Sequence, residues 1–205
     1  MSATRQREAI SALQLFLGTA EGAAAAWSAP LDPGTVARAA GQLHAAVRWL
    51  SAAIAILAAA DAYPVLDGCQ RRIQAAWRCT AALHAPECGQ GDGSGHGDLL
   101  CAAARYTAGT WSQRRPGQGQ PDTDLAGLAG ITAALARAAR ALARQQPRTP
   151  AAASLSAASS HLDTASGLLQ TAASHARCPA AAQRRRPRTA GRQQANQAPA
   201  RQADS

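Results

Sequence analysis

Asp32-Pro33-Gly34-Thr35-Val36-Ala37-Arg38-Ala39-Ala40-Gly41-Gln42-Leu43-His44-Ala45-Ala46-Val47-Arg48-Trp49-Leu50 begins the stretch that decides the fold. Val36, Ala40, Leu43, Val47, Leu50, Ile54 and Leu57 recur in steps of four and three, which sets them along one edge of a helix. Asp32 offers a carboxylate to the unpaired N–H groups at the start, and Pro33 loses nothing there by lacking its own N–H. Tyr63-Pro64 ends the run. A helix over about 33–62 follows.

The same period extends outward on both sides. Ile10, Leu13, Phe16, Leu17 and Ala20 line a helix from about Thr4 to Trp27, with Pro30 as the break. Leu66, Cys69, Ile73, Trp77, Thr80 and Leu83 line a third, over about 65–84. A glycine-rich loop over 89–97 precedes Asp98, which can cap a fourth helix bearing Leu99, Leu100, Ala103, Tyr106 and Trp111 inward. Asp122, Thr123 and Asp124 offer caps for a fifth, with the stripe Leu128, Ile131, Leu135, Ala138 and Leu142. Pro147 and Pro150 bracket a turn. The sixth carries Leu155, Ala158, Leu162, Ala165, Leu169 and Ala172 to about Arg177. The expected fold class is all-α, an alanine-rich bundle of about six helices.

Beyond that point the period stops. Residues 178–205 mix arginine with Gln, Ala and Pro and lack the apolar surface to offset ordering entropy, so they read as a disordered tail. The charge divides accordingly. Residues 1–176 hold 14 Arg against 11 acidic residues, whereas 177–205 hold 7 against 1. Arg184, Arg185, Arg186, Arg188 and Arg192 could neutralise phosphates without reading sequence, and no aromatic interleaves with them for base stacking.

The chain also echoes itself. Trp27-Ser28 matches Trp111-Ser112; Thr80-Ala81-Ala82-Leu83-His84-Ala85 matches Thr171-Ala172-Ala173-Ser174-His175-Ala176; and Ala40-Leu43-Val47 matches Leu128-Ile131-Leu135 between them. This suggests two three-helix units, 4–85 and 98–177, joined by the glycine-rich linker 86–97 within a bundle domain over 1–177.

Composition excludes more than it assigns. All 21 basic residues are arginine, so P-loop and Schiff-base lysine chemistry are ruled out. Together with the alanine, glycine and proline usage, this reads as the coding bias of a GC-rich bacterial genome. Glutamate occurs only at Glu8, Glu21 and Glu87, too few for a carboxylate-bridged di-metal centre. Leu, Ile, Val and Phe number 28 of 205 residues, so the core must rest on close approach of small side chains.

Two clusters carry metal-type ligands. Cys79, His84, Cys88, His96 and Cys101 gather around the glycine-rich loop but lack a C-x-x-C knuckle. The loop from Asp92 to Asp98 alternates oxygen-bearing residues yet lacks the closing Glu of a calcium loop. Neither spacing supports a metal, and no cofactor is expected. Ser159, Ser160, His161 and Asp163 are too close along one helix to converge as a relay, and no nucleophile elbow is present. No signal peptide is recognisable at the start. The longest strongly apolar uncharged run, 49–60, is too short to span a bilayer. The expectation is a cytoplasmic, non-enzymatic interaction or scaffold module that binds another protein or itself. The alternative is an accessory nucleic-acid binder acting through the tail.

Overall fold

Asp32 does what its position predicts. In the computed structural model its carboxylate accepts from the Thr35 backbone N–H at 3.0 Å and from the Thr35 hydroxyl, closing the open end of the second helix. Those hydrogen bonds hold the Asp32 carboxyl below the usual carboxylate range. The structure describes residues 3–61, 64–81, 83, 95–113 and 121–177, and the 178–205 segment lies outside them. Among the described residues there are six helices and no strand: α1 (Ala3–Ala26), α2 (Pro33–Asp61), α3 (Pro64–Ala81), α4 (His96–Ser112), α5 (Pro121–Gln145) and α6 (Pro150–Arg177).

The stripe of α2 is the spine of the core. Leu43, Val47, Leu50 and Ile54 are sealed from solvent, as are Leu128, Ile131, Leu135 and Leu142 of α5. These two helices form a middle layer. On one side α1 and α4 pair with each other, α1 also lying on α5 and α4 on α2. On the other side α3 and α6 pair, α3 resting on α2 and α6 on α5. Exchanging α1, α2 and α3 for α4, α5 and α6 returns the same set of pairs. Neither α1 with α2 nor α4 with α5 makes a pair, so neighbours in sequence are separated in space here and the two halves interleave.

Small residues allow this. Leu13 and Leu17 of α1 seat over Gly127 and Gly130 of α5, where an added Cβ would lie 3.2 Å from a leucine methyl. Buried alanines fill most remaining contact positions, and side chains this small let helix axes approach closely. Buried hydroxyls pair with backbone. The Thr107 hydroxyl lies 3.0 Å from the Ala12 carbonyl, and Ser166 donates to the Ala129 carbonyl at 2.9 Å. Gln145, last in α5, ties down the α1–α2 turn by donating to the Trp27 and Ala29 carbonyls and accepting from the Leu31 N–H.

Four expectations need correction. Helix α4 begins at His96 behind an N-cap at Gly95, so Asp98 sits in its first turn and does not cap it. Helix α5 likewise begins at Pro121, which puts Asp122 and Asp124 inside its first turn, at the positive end of the dipole. Leu99 and Tyr106 do not face inward but are 50% and 52% exposed, because the buried edge of α4 runs Gly97, Leu100, Ala104, Thr107, Trp111. Finally, stretches of α1 (Arg7–Ala26), α2 (Pro33–Ala59) and α5 (Asp122–Gln145) are long and apolar enough, by length and composition, to cross a membrane. In the bundle their large apolar side chains pack mostly against other helices, and Arg38, Arg48, Arg137, Arg140 and Arg144 stand on their exposed sides.

Candidate functional site: the groove between α1 and α4

Leu15 lies one position off the inward stripe of α1, and Leu99 lies one off that of α4. Helical geometry therefore turns both outward. They are 51% and 50% exposed, and with Tyr106 they are the exposed large hydrophobic residues of the described structure. They do not lie at random. Leu15 and Leu99 edge a shared groove of about 400 Å3, whose α1 wall is Gln14, Leu15, Gly18, Thr19 and Gly22 and whose α4 wall is His96 and Leu99.

Glycine opens this groove. Gly18 has no heavy atom within 4 Å of where a Cβ would stand, and a Cβ on Gly22 would meet the His96 ring edge at 3.5 Å. Thr19 turns its hydroxyl back onto its own helix, 3.0 Å from the Leu15 and Phe16 carbonyls. Gln14 and His96 remain as polar groups at the rim. The arrangement has no acid–base or nucleophile pair aimed at a common point. It offers an apolar slot with a little polarity at its edge, which suits apolar side chains of another molecule.

A second, polar cluster sits where α2 meets α3 and α4. Trp77 Nε1 donates to His44 Nε2 at 3.2 Å, His44 Nδ1 lies 2.9 Å from Thr80 Oγ1, and the Thr80 hydroxyl lies 2.9 Å from the Trp77 carbonyl. The imidazole and indole rings are 21° from parallel with centroids 5.8 Å apart. On the α4 side, Gln42 donates from Nε2 to Asp98 Oδ1 at 2.9 Å, and Cys101 Sγ lies 3.4 Å from the Gln42 carbonyl oxygen. The Gln42 carboxamide lies against the backbone of Gly97, where a side chain would overlap it.

The residues singled out by sequence do not assemble. Cys79 and Cys101 are half-buried on different helices, His96 is exposed at the groove, and His84 and Cys88 lie outside the described residues. Among the described residues no three His, Cys, Asp or Glu side chains come together in a way that could hold a metal. Burial pushes the Cys69 thiol up to about 11, so at neutral pH it is a protonated thiol facing the Ala165 carbonyl. Asp163 pairs with Arg140 at 2.8 Å, and Ser160 bonds its own helix at Ser156. Arg184, Arg185, Arg186, Arg188 and Arg192 lie outside the described residues.

Sequence reasoning missed the groove because it assigned Leu99 to the core. A signal was present in Leu99-Leu100, since adjacent residues lie about 100° apart on a helix and two large ones at the edge of a narrow buried face are hard to seal together. Comparison with protein-family models, with curated proteins and with solved structures finds no match.

Proposed function

We propose that this chain is a non-enzymatic helical interaction module that docks another polypeptide along the α1–α4 face. The observation that carries this reading is the pairing of Leu15 and Leu99, about half exposed, across one groove, where among the described residues the other large apolar side chains except Tyr106 are largely withdrawn from solvent. Exposed leucines that cluster cost solubility unless something covers them. An amphipathic helix with apolar residues three and four apart has the shape to fill such a slot.

A photo-crosslinking residue placed at Leu15 tests it in the cells that make the protein, with Gln170 on the polar face of α6 as the comparison site. Adducts to a defined polypeptide from Leu15 and none from Gln170 support the reading. Equal labelling at both sites, or none at Leu15, contradicts it.

A second reading rests on the arginine run from Arg184 to Arg192, whose five guanidinium groups suit phosphate. It makes the protein an accessory nucleic-acid binder. Duplex DNA affinity measured with and without residues 178–205 decides it. Salt-sensitive binding that the truncation abolishes supports this reading, and affinity indifferent to both salt and truncation rejects it.

A further inference from the structure

We infer that the polypeptide this groove takes is a second copy of the chain, paired antiparallel through α1, which presupposes the docking role proposed above. Arg7, Gln14 and Glu21 recur at seven-residue intervals, and all three are exposed. Seven residues make almost two full turns, returning to within about 20° of the start. The three side chains therefore form one line down the outer face of α1, about 21 Å from end to end at 1.5 Å per residue. Ser11, Gly18 and Ala25 fill the same exposed face and keep it low. Glu8, one position past Arg7, turns toward α4 on the side of Leu15 and leaves this line. The outer face is thus positive at one end, neutral at its middle and negative at the other.

Such a face complements itself in one orientation. Two copies run parallel set Arg7 against Arg7 and Glu21 against Glu21. Run antiparallel about a two-fold axis at Gln14, each Arg7 meets the Glu21 of the second copy, and the favourable pair forms twice. The two Gln14 carboxamides then face each other on the axis, where one donates and the other accepts. Leu15 stands next to that axis with Leu99 across the groove, and Gly18 leaves the space open for the ridge that enters. Each α1 lies along the groove of the other. Glu21 already has Arg137 of α5 at 3.7 Å, with both side chains more than half exposed. A carboxylate has lone pairs for a second guanidinium, so that bridge leaves room for Arg7. One helix face with its groove is small beside the roughly 1,200–2,000 Å2 of a stable interface, so the pair dissociates on dilution.

Sedimentation equilibrium of the full chain at rising concentration tests this, with thermal unfolding of each variant to show that it folds. Wild type should pass from the mass of one chain to that of two. R7E and E21R each set like charges together at both ends, so either should weaken association about tenfold. An equal mixture of R7E and E21R should associate as wild type does, because each mixed pair has opposite charges at both ends. The double variant R7E/E21R, which exchanges the two ends, should do the same. A photo-crosslinker at Leu15 should yield an adduct of two chains that R7E diminishes. Wild type that stays one chain at every concentration, or a mixture no better than its components, overturns the second copy as occupant. A monomeric protein whose Leu15 adduct holds a different polypeptide overturns it too, yet leaves the docking role standing.

Discussion

The α1–α4 layer and the α3–α6 layer flank the same middle pair and differ in one respect, that large apolar side chains stand exposed on the first and not, among the described residues, on the second. Outward positions on α6 include Ser156, Ser160, Asp163, Thr164, Gln170 and Ser174 beside the small Ala153, Ala157 and Gly167, and those on α3 include Asp67, Arg71, Arg72 and Arg78. Outward positions on α1 and α4 include Arg7, Glu8, Gln14, Glu21 and Arg105, but also the large apolar Leu15, Leu99 and Tyr106. The inward sides are alike, sealed and built from alanine with one large side chain per turn. What differs is the cost of exposure, which α3–α6 avoids and α1–α4 accepts. A layer that accepts such a cost without needing it for folding is where binding is expected.

The largest predicted effect lies on the sealed side. Ile73→Ala on α3 or Leu162→Ala on α6 removes a fully buried side chain and should destabilise by about 2–5 kcal/mol in denaturant titration. A loss under about 1 kcal/mol would mean that this seam is loose. Next comes Gly97→Ala at the base of α4. The added methyl must evict the Gln42 carboxamide from its bond to Asp98, at about 1–3 kcal/mol. A neutral outcome would show that Gln42 can move at little cost.

Glycines sharpen the contrast in the other direction. Gly18 in the groove and Gly167 on α6 both have open space around them. Each changed to Ala should gain about 0.5–1 kcal/mol through helix propensity. Only Gly18→Ala should weaken crosslinking from Leu15, since it alone narrows the slot. Smaller still is the Arg140–Asp163 bridge on the polar side, about half exposed. A double-mutant cycle there should return about 0.2–1 kcal/mol, shrinking in salt. Last, Asp32 has its carboxyl lowered by the Thr35 hydrogen bonds, so its contribution stands at neutral pH and is lost as pH falls through the acidic range. Asp32→Ala should lower Tm at pH 7 and leave it nearly unchanged where wild-type Asp32 is already protonated.

Much of the fold was legible because helical period and capping are local. Asp32-Pro33 and the stripes of α2, α5 and α6 needed no knowledge of partners, and five of the six inward residues of α6 are buried as spaced. Ala172, the sixth, is partly covered. What could not be read was which helix pairs with which. Alanine faces are nearly interchangeable, so nothing in the stripe of α1 says that it lies on α5 and α4 and not on α2. The seats made by Gly127 and Gly130 for Leu13 and Leu17 become visible only once α1 and α5 are side by side. The cluster of His44 with Trp77 and Thr80 had no signature either, since it joins residues of two helices that only the packing of α2 on α3 brings together. We propose that the interchange symmetry of the helix pairs descends from duplication of one three-helix unit. Closer relatives whose two halves align helix for helix would support that origin, and relatives with unrelated halves would contradict it.

Unfolding of the double variant L15S/L99S is the sharpest check on the idea that the α1–α4 groove is surplus to folding and kept for docking. The variant should unfold cooperatively within about 2 °C of wild type, since both leucines already stand half in water. A broad transition or a fall of about 10 °C would mean that the two leucines hold the bundle together.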